Sequence, residues 1–577
     1  MEVINLGKNY VKAASDQVRE MIMDALGAAV AAGELPAEPV PAFTVEVPGD
    51  TSHGDFAANV AMVSARAFRC APRRIAEAVL AHLSFEGSWF TRAECAGPGF
   101  LNFFLSPGWF ASALSEIGLE KDSYGRSDYG RGKKVMVEFV SANPTGPMHM
   151  GNARGGALGD CLASALDAAG YDVTREFYIN DAGNQIEKFG ISLEARYLQL
   201  YLGEENAPLP EDAYQGLDIL EHAKAYAAIH GDSLVNAEPA ARRKALVDYA
   251  LPLNIAGLKR DLGKYRIEYD VWFPESRLHS DGTIDKILAL LKDRGMTYEK
   301  DGALWLKLSS DDESVPEAER MKDEVLVRAN GIPTYFAADI AYHYNKFAVR
   351  GFDRVIDVWG ADHHGHVARM KKAMDAVGLD GNALDIVLMQ LVRLMKDGQP
   401  FRMSKRTGKS ITLNDLIDEV PVDAARFFFN LREPNSTFDF DLDLAVEQSS
   451  QNPVYYVQYA HARICSILRN LKNEGVEPRA CSEAELLLLT APEETALIRL
   501  LAAFPGEIVE AARCYDPARL TRYAVELASS FHKFYNACRV KGEDEALMQA
   551  RLTLCLAVRT TLKNDLTLLK IDAPESM

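Results

Sequence analysis

VMVEFVSANPTGPMHMGNARGGALGD, residues 135–160, is the stretch from which the rest of the chain can be placed. Residues 135–140 are mostly apolar and partly β-branched, which predicts a short buried strand. Asn143, Pro144, Gly146 and Pro147 then break any regular element and predict a loop. His149-Met150-Gly151-Asn152 leads into a helix of small residues, 153–169. A strand, a tight loop and a helix N-terminus form the local plan of an anion site, in which unpaired amides and the positive end of the helix dipole face the ligand. Gly151, Gly155 and Gly159 let ligand and backbone come close. Asn143 and His149 flank the turn and can donate hydrogen bonds into it. The stretch is neither a Walker loop nor a GxGxxG turn. By itself it leaves open an ordinary strand–loop–helix unit of an α/β protein.

A second stretch decides between these readings. Residues 397–416 read DGQPFRMSKRTGKSITLNDL, with the basic run Arg402-Met403-Ser404-Lys405-Arg406 between Gly398 and Gly408. Together with His149-x-Gly151-Asn152, it resembles the two signatures of class I aminoacyl-tRNA synthetases, usually written HIGH and KMSKS. Asn152 replaces the second His and keeps a donor; Arg402 replaces the first Lys and keeps the charge. The residues between narrow the family. SANPTGPMHMGNARG (141–155), YINDAGNQI (178–186), PTYFAADIAYH (333–343) and VWGADHHGHVARM (358–370) together resemble arginyl-tRNA synthetase. So do GDFAANVAM (54–62) and GPGFLNFFL (97–105) near one end, and NPVYYVQYAHARI (452–464) and IDAPESM (571–577) near the other. The resemblance is nearly full length and keeps the family's motif order.

It implies an ATP-dependent ligase that joins L-arginine to its tRNA through an arginyl-adenylate, with Mg2+ accompanying ATP. Carried over residue by residue, His149 and Lys405 serve catalysis. His149, Gly151, Asn152, Asp362, Met403, Ser404 and Lys405 meet ATP. Asn143, Glu275, Tyr335, Asp339 and His363 meet arginine, and Tyr459 and His461 meet tRNA. No metal held by the protein itself is implied. The chemistry of the substrate fits this set. A guanidinium presents five donors in a planar fork and stays charged, so carboxylates must face it. Lysine lacks the fork and would leave such carboxylates unpaired, which makes rejection strong without editing.

The remaining residues bound the architecture. A chain of 577 residues predicts several domains. Residues 1–115 read as a small α+β domain, with helices over 8–32 and 73–83 and strands over 43–47 and 100–105. Residues 116–445 read as a Rossmann-type catalytic domain. Strands at 135–140, 173–178 and 355–359 alternate with helices, which predicts a mostly parallel sheet. Ligands bind at the carboxyl ends of such strands, so His149, Asp181 and Asp362 should converge. Residues 190–265 read as an insertion. Residues 446–577 read as an all-α bundle. Its apolar stripes Val454, Val457, Ile464, Leu468 and Leu520, Tyr523, Leu527, Phe531, Phe534 are core, so any RNA contact must come from exposed side chains.

Composition restricts the alternatives. No apolar run is long enough to span a bilayer, and residues 1–17 lack the apolar core of a secretory leader. Eight cysteines without a CxxC pair predict buried thiols in a reducing cytoplasm. The net charge of −19 alone disfavours nucleic acid. Residues 451–577, however, carry 15 Lys/Arg against 16 Asp/Glu and are the least acidic part. A monomer is the expected working form. Asp362 and the histidines at 363, 364 and 366 also admit a metal-hydrolase reading, but no second His/Glu pair at helical spacing accompanies them. Two rivals share the fold. A synthetase for another amino acid would change the pocket residues 275 and 339; a binding module derived from a synthetase would lose His149 and Lys405.

Overall fold

The computed structural model describes residues 9–309, 321–401, 411–542 and 544–577. At its centre lies a five-stranded, wholly parallel sheet. Its strands are β1 (Lys134–Glu138), β2 (Asp172–Ile179), β3 (Val271–Pro274), β4 (Arg354–Gly360) and β5 (Leu384–Met389). The spatial order is β5-β4-β1-β2-β3. The order therefore reverses beside β1, and the crevice at such a switch point is where open α/β sheets bind ligands. Val135, Met136 and Val137 of β1 are all buried, as expected of a central strand covered on both faces.

The strand is shorter than its apolar run. Pairing ends at Glu138, because Val140 and Ser141 take φ values of 70° and 42°. Left-handed backbone at a β-branched residue costs about 1–3 kcal/mol and persists only where the surroundings impose it. Here the Ser141 hydroxyl donates to Glu138 Oε1 (2.9 Å) and accepts from the Tyr178 amide (3.1 Å), which ties the turn to both β1 and β2. The helix α1 (Gly151–Ala168) follows. Its glycines let it lie against the sheet: a Cβ on Gly159 would sit 2.3 Å from the Phe139 ring.

Between β2 and β3 the chain leaves the sheet for three helices, Asn184–Leu202, Leu217–His230 and Pro239–Lys264, which share their own small core around Phe189, Tyr197 and Leu246. Between β3 and β4 come a three-stranded antiparallel sheet and the helix α2 (Tyr335–Tyr344). Thr334 caps α2 by accepting from the Ala337 amide. The helix thus starts at Tyr335, and Asp339 lies in its second turn.

Residues before 107 form the helices Tyr10–Ala31, Val60–Phe68 and Pro72–His82 and a four-stranded antiparallel sheet. From α3 (Pro453–Asn473) onward the chain is helical, with further long helices at Pro492–Cys514, Ala518–Ala537 and Glu545–Leu568. Leu520, Tyr523, Leu527, Phe531 and Phe534 are all buried, as their spacing requires. This bundle is anchored on the other parts: Arg499 pairs with Asp55, and fully buried Arg426 bonds both Asp160 of α1 and the Leu569 carbonyl. All eight cysteines are free thiols. Among the described residues, no helix is long and apolar enough to cross a membrane.

Candidate functional site

The turn after β1 and the start of α1 form one wall of a cavity of about 710 Å³. His149, Gly151 and Arg154 line it, facing residues 389–394, Pro400, Phe401 and Ile411. The expected free amides are not there. Gly151 N donates to His149 Nδ1 (2.9 Å), Asn152 N to the His149 carbonyl (3.0 Å) and Ala153 N to the Met150 carbonyl (2.9 Å). The His149 ring folds back as a cap, so the helix satisfies its own first turn. A Cβ at Gly151 would lie 2.9 Å from His149 Nδ1, which is why glycine is required. Because Nδ1 accepts, the neutral ring carries its proton on Nε2. Partial burial lowers the His149 pKa and favours that neutral form.

Residues 402–410, and with them Met403, Ser404 and Lys405, lie outside the described residues. The chain just beyond them is fixed against the turn. Met150 N donates to the Ile411 carbonyl and Leu413 N to the Met148 carbonyl, both at 2.8 Å, which closes a bridge between His149 and Thr412. The chain that follows the second signature therefore lies against the first.

A second cluster lies at the ends of β2 and β3. Glu275 is 3% exposed and follows β3 directly. Asp181 accepts from the Ser276 amide (2.8 Å) and hydroxyl (2.7 Å), which locks the turn that carries Glu275. In the orientation its neighbours demand, the Asn180 amide donates to Glu275 Oε2 (2.8 Å) and turns its oxygen to the Asn143 side chain (3.2 Å). Asp339 lies on α2, and the charges of both carboxylates are felt at the buried Tyr178 phenol. Burial first, then the charges of Glu275 and Asp339, raise the Tyr178 pKa. Burial likewise raises that of Glu275, with the nearby charge of Asp339 adding to the shift and His279 opposing it. The basic partners of this pair are histidines: His279 at 3.4 Å from Glu275 and His366 at 3.3 Å from Asp339. The hydroxyl of Tyr335 accepts from the Asn184 amide (2.9 Å) and so closes the side toward residue 183.

The three strand-end residues do not converge equally. Asp181 serves the cluster by bracing it. Asp362 has an 82% exposed side chain and its nearest basic group is His363, at 3.7 Å. His363 is exposed beside Trp359. Among the described residues, no group of three metal-binding side chains gathers there or elsewhere.

On the helical bundle, Tyr459 is exposed and stacks on Tyr455, centroids 6.4 Å apart at 6°. With Tyr456, Arg463 and His532 these rings line a cleft of about 420 Å³. His461 is different. It is 3% exposed and its Nδ1 lies 2.8 Å from the Pro574 carbonyl. It shares the buried stripe of α3 with Val457 and Ile464, so it cannot touch a ligand directly. Burial lowers its pKa.

Sequence reasoning missed Tyr178, Asn180 and Arg154, and weighed His366 only as a metal ligand. Each lies inside a stretch already singled out, but nothing in residue type or spacing marks a tyrosine or a histidine as facing a carboxylate across the fold.

Comparison with known proteins agrees with this geometry. Residues 113–465 match the model of the class I tRNA synthetase (R) catalytic domain. Residues 457–577 match the DALR anticodon binding domain, and residues 16–105 the arginyl tRNA synthetase N terminal domain. The chain is 56% identical to the arginine–tRNA ligase of Ruminiclostridium cellulolyticum over 570 residues, covering 99% of this chain and 100% of that protein. It is 54% identical to the arginine–tRNA ligase of Acetivibrio thermocellus, with the same coverage. The arginyl-tRNA synthetase of Thermus thermophilus shares the fold, with a TM-score of 0.72 and 24% identity over 96% of this chain and 99% of that one. The chain belongs to the arginyl-tRNA synthetases of class I.

Proposed function

We propose that this chain ligates L-arginine to its tRNA in two steps within a single active site. The arginine carboxylate attacks the α-phosphate of ATP and pyrophosphate leaves. A terminal ribose hydroxyl of the tRNA then attacks the adenylate carbonyl and AMP leaves. Neither step needs a side-chain nucleophile; positioning and stabilisation of developing charge suffice. One observation carries the reading. The charges of Glu275 and Asp339 bear on Tyr178, and among the described residues their ion-pair partners are histidines, not Lys or Arg, which suits a permanently cationic ligand.

In this reading Glu275, Asp339 and Tyr335 hold the guanidinium end, Asn143 lies near the α-amino and carboxylate groups, and His363 borders the site. ATP enters the cavity beside His149 as its Mg2+ complex, with the ion held mainly by phosphate oxygens and water. His149 offers its Nε2–H to the phosphates, Gly151 and Asn152 border them, and Asp362 lies toward the adenosine. Met403, Ser404 and Lys405 complete the nucleotide site from the opposite side. Tyr459, with the rings around it, stacks an unpaired tRNA base. Residues 1–115 contact the tRNA, 116–445 carry the chemistry with 190–265 as an insertion, and 446–577 bind the anticodon region. The enzyme acts in the cytoplasm as a monomer.

The test is ATP–pyrophosphate exchange with each amino acid, with and without tRNA, followed by tRNA charging. Exchange with arginine that requires tRNA supports the reading; exchange with another amino acid, or none under either condition, refutes it. Lys405→Ala should lower turnover by about 10²–10³-fold, as for the loss of one preorganised donor.

A further inference from the structure

The cavity beside His149 contains a cation that its sequence neighbours do not announce. Arg154, on the first turn of α1, is 1% exposed. Its guanidinium donates to three main-chain carbonyls: Gln390 (2.7 Å), Ser436 (2.9 Å) and Glu433 (3.0 Å). Its plane lies 5.0 Å from the Phe438 ring centroid. Its Nε–H has no partner among the described residues. No carboxylate among those residues pairs with it, in contrast to Arg426, which is held by Asp160 at 2.6 Å. Burial alone pushes the Arg154 pKa down, to about 10. Carbonyl oxygens solvate a guanidinium but do not neutralise it. A buried cation in that state is costly unless a counter-charge arrives.

Of the three carbonyl residues Gln390 lines the cavity itself, and Glu433 and Ser436 precede its lining residues Thr437 and Phe438. Gln390 follows β5, and its amide is itself bonded to the Pro434 carbonyl (3.0 Å). Glu433 and Ser436 lie in the segment that runs on to Phe438. Arg154 therefore clips the two segments that supply these lining residues to the helix that follows His149.

We propose that Arg154 is a positioning residue for the nucleotide: it fixes these segments through their carbonyls and leaves one unneutralised positive charge beside the polyphosphate. This rests on the reading of the cavity as the ATP site. It predicts two separable losses. Removing the fork weakens every adenine nucleotide alike; removing the charge weakens ligands in proportion to their phosphate charge.

The experiment measures calorimetric affinities of the full-length enzyme for ATP, AMP and adenosine. Arg154→Gln should lower the ATP-to-adenosine affinity ratio by about tenfold or more, with AMP between, as for loss of a charge-assisted contact. Arg154→Lys keeps the charge, so all three affinities should fall while the ratio stays within about threefold of wild type. A ratio unchanged in Arg154→Gln overturns the inference, whatever happens to Tm. Should Arg154→Gln not fold, Arg154→Lys decides: all three affinities weakened at constant ratio supports it, and affinities unchanged overturn it. Leu391→Trp checks the underlying reading, because Leu391 lines the same cavity and is 80% exposed. ATP binding that ignores Leu391→Trp places ATP elsewhere and refutes both; ATP binding blocked by it, with the Arg154→Gln ratio unchanged, refutes the inference alone.

Discussion

Two groups of carboxylates, one within the central sheet and one beyond the end of β3 and on α2, are treated differently by the fold. Glu138, Glu176 and Asp357 are buried on β1, β2 and β4. Lys346, fully buried in the turn after α2, reaches Glu138 (2.6 Å) and Asp357 (2.9 Å). Arg350 holds both oxygens of Glu176, and His343 adds a contact to Asp357 (3.0 Å). These acids are neutralised by permanent cations of the chain itself. Glu275 and Asp339, among the described residues, receive only histidines. A site for a cationic substrate is thus visible as acids from which the protein withholds its own lysines and arginines.

That contrast can be broken most severely at Lys346. Lys346→Met would strand Glu138 and Asp357 as buried charges, and should cost about 3–5 kcal/mol of stability. Chemical denaturation that shows a loss below about 1 kcal/mol would mean that this network is not the support proposed here. The same network fixes the position of α2, so the variant should also bind arginine poorly.

Glu275→Gln is the complementary change. It should lower kcat/KM for arginine by about 2–4 kcal/mol in transition-state terms, because one partner of a desolvated charge pair is lost. Stability should be unchanged or higher, since a buried acid without a permanent cation raises the cost of folding. The sign with pH follows. The folded-state pKa of Glu275 lies above its ordinary value, so the folded protein holds this proton more tightly than the unfolded chain. The stability penalty is absent at low pH and grows as pH rises through the interval between the two values. Arginine needs the ionised form, so its KM should rise on acidification. Steady-state kinetics across pH should show this rise in wild type and lose it in Glu275→Gln.

Asp565 gives the smallest effect and sharpens the contrast from a third side. It is fully buried on Glu545–Leu568, and neither of its oxygens has a hydrogen-bond partner among the described residues. Burial first, then the charge of Glu507, holds its pKa well above the usual aspartate range. Asp565→Asn should raise stability at pH 8 by about 1 kcal/mol. The gain should vanish below about pH 4, where the acid is protonated in both states. Melting curves at the two pH values decide this.

The fold could be read from the chain wherever periodicity carries it. The apolar run at 135–140, the glycine-spaced helix after His149 and the stripe from Leu520 to Phe534 each declare their element. The deviation has a local cause. The β1 strand stops early because Ser141 trades sheet pairing for bonds to Glu138 and the Tyr178 amide. In the site, Glu275 and Asp339 were placed by resemblance, since a carboxylate's partners depend on strands far apart in sequence. Nothing in the sequence marks Arg154 among its small neighbours, and the fold surrounds it with carbonyls. His461 looked like a surface donor, whereas its position on α3 turns it inward.

The central claim is that charge, not shape, selects the amino acid. Citrulline tests it directly, being arginine with the guanidinium replaced by a neutral urea group. ATP–pyrophosphate exchange in the presence of tRNA would give kcat/KM for arginine and for citrulline in wild type and in Glu275→Gln/Asp339→Asn. The account predicts that wild type favours arginine by roughly 10³-fold or more, and that the double variant loses most of that preference through arginine alone. A wild type that accepts both, or a double variant that still discriminates as well, would contradict it.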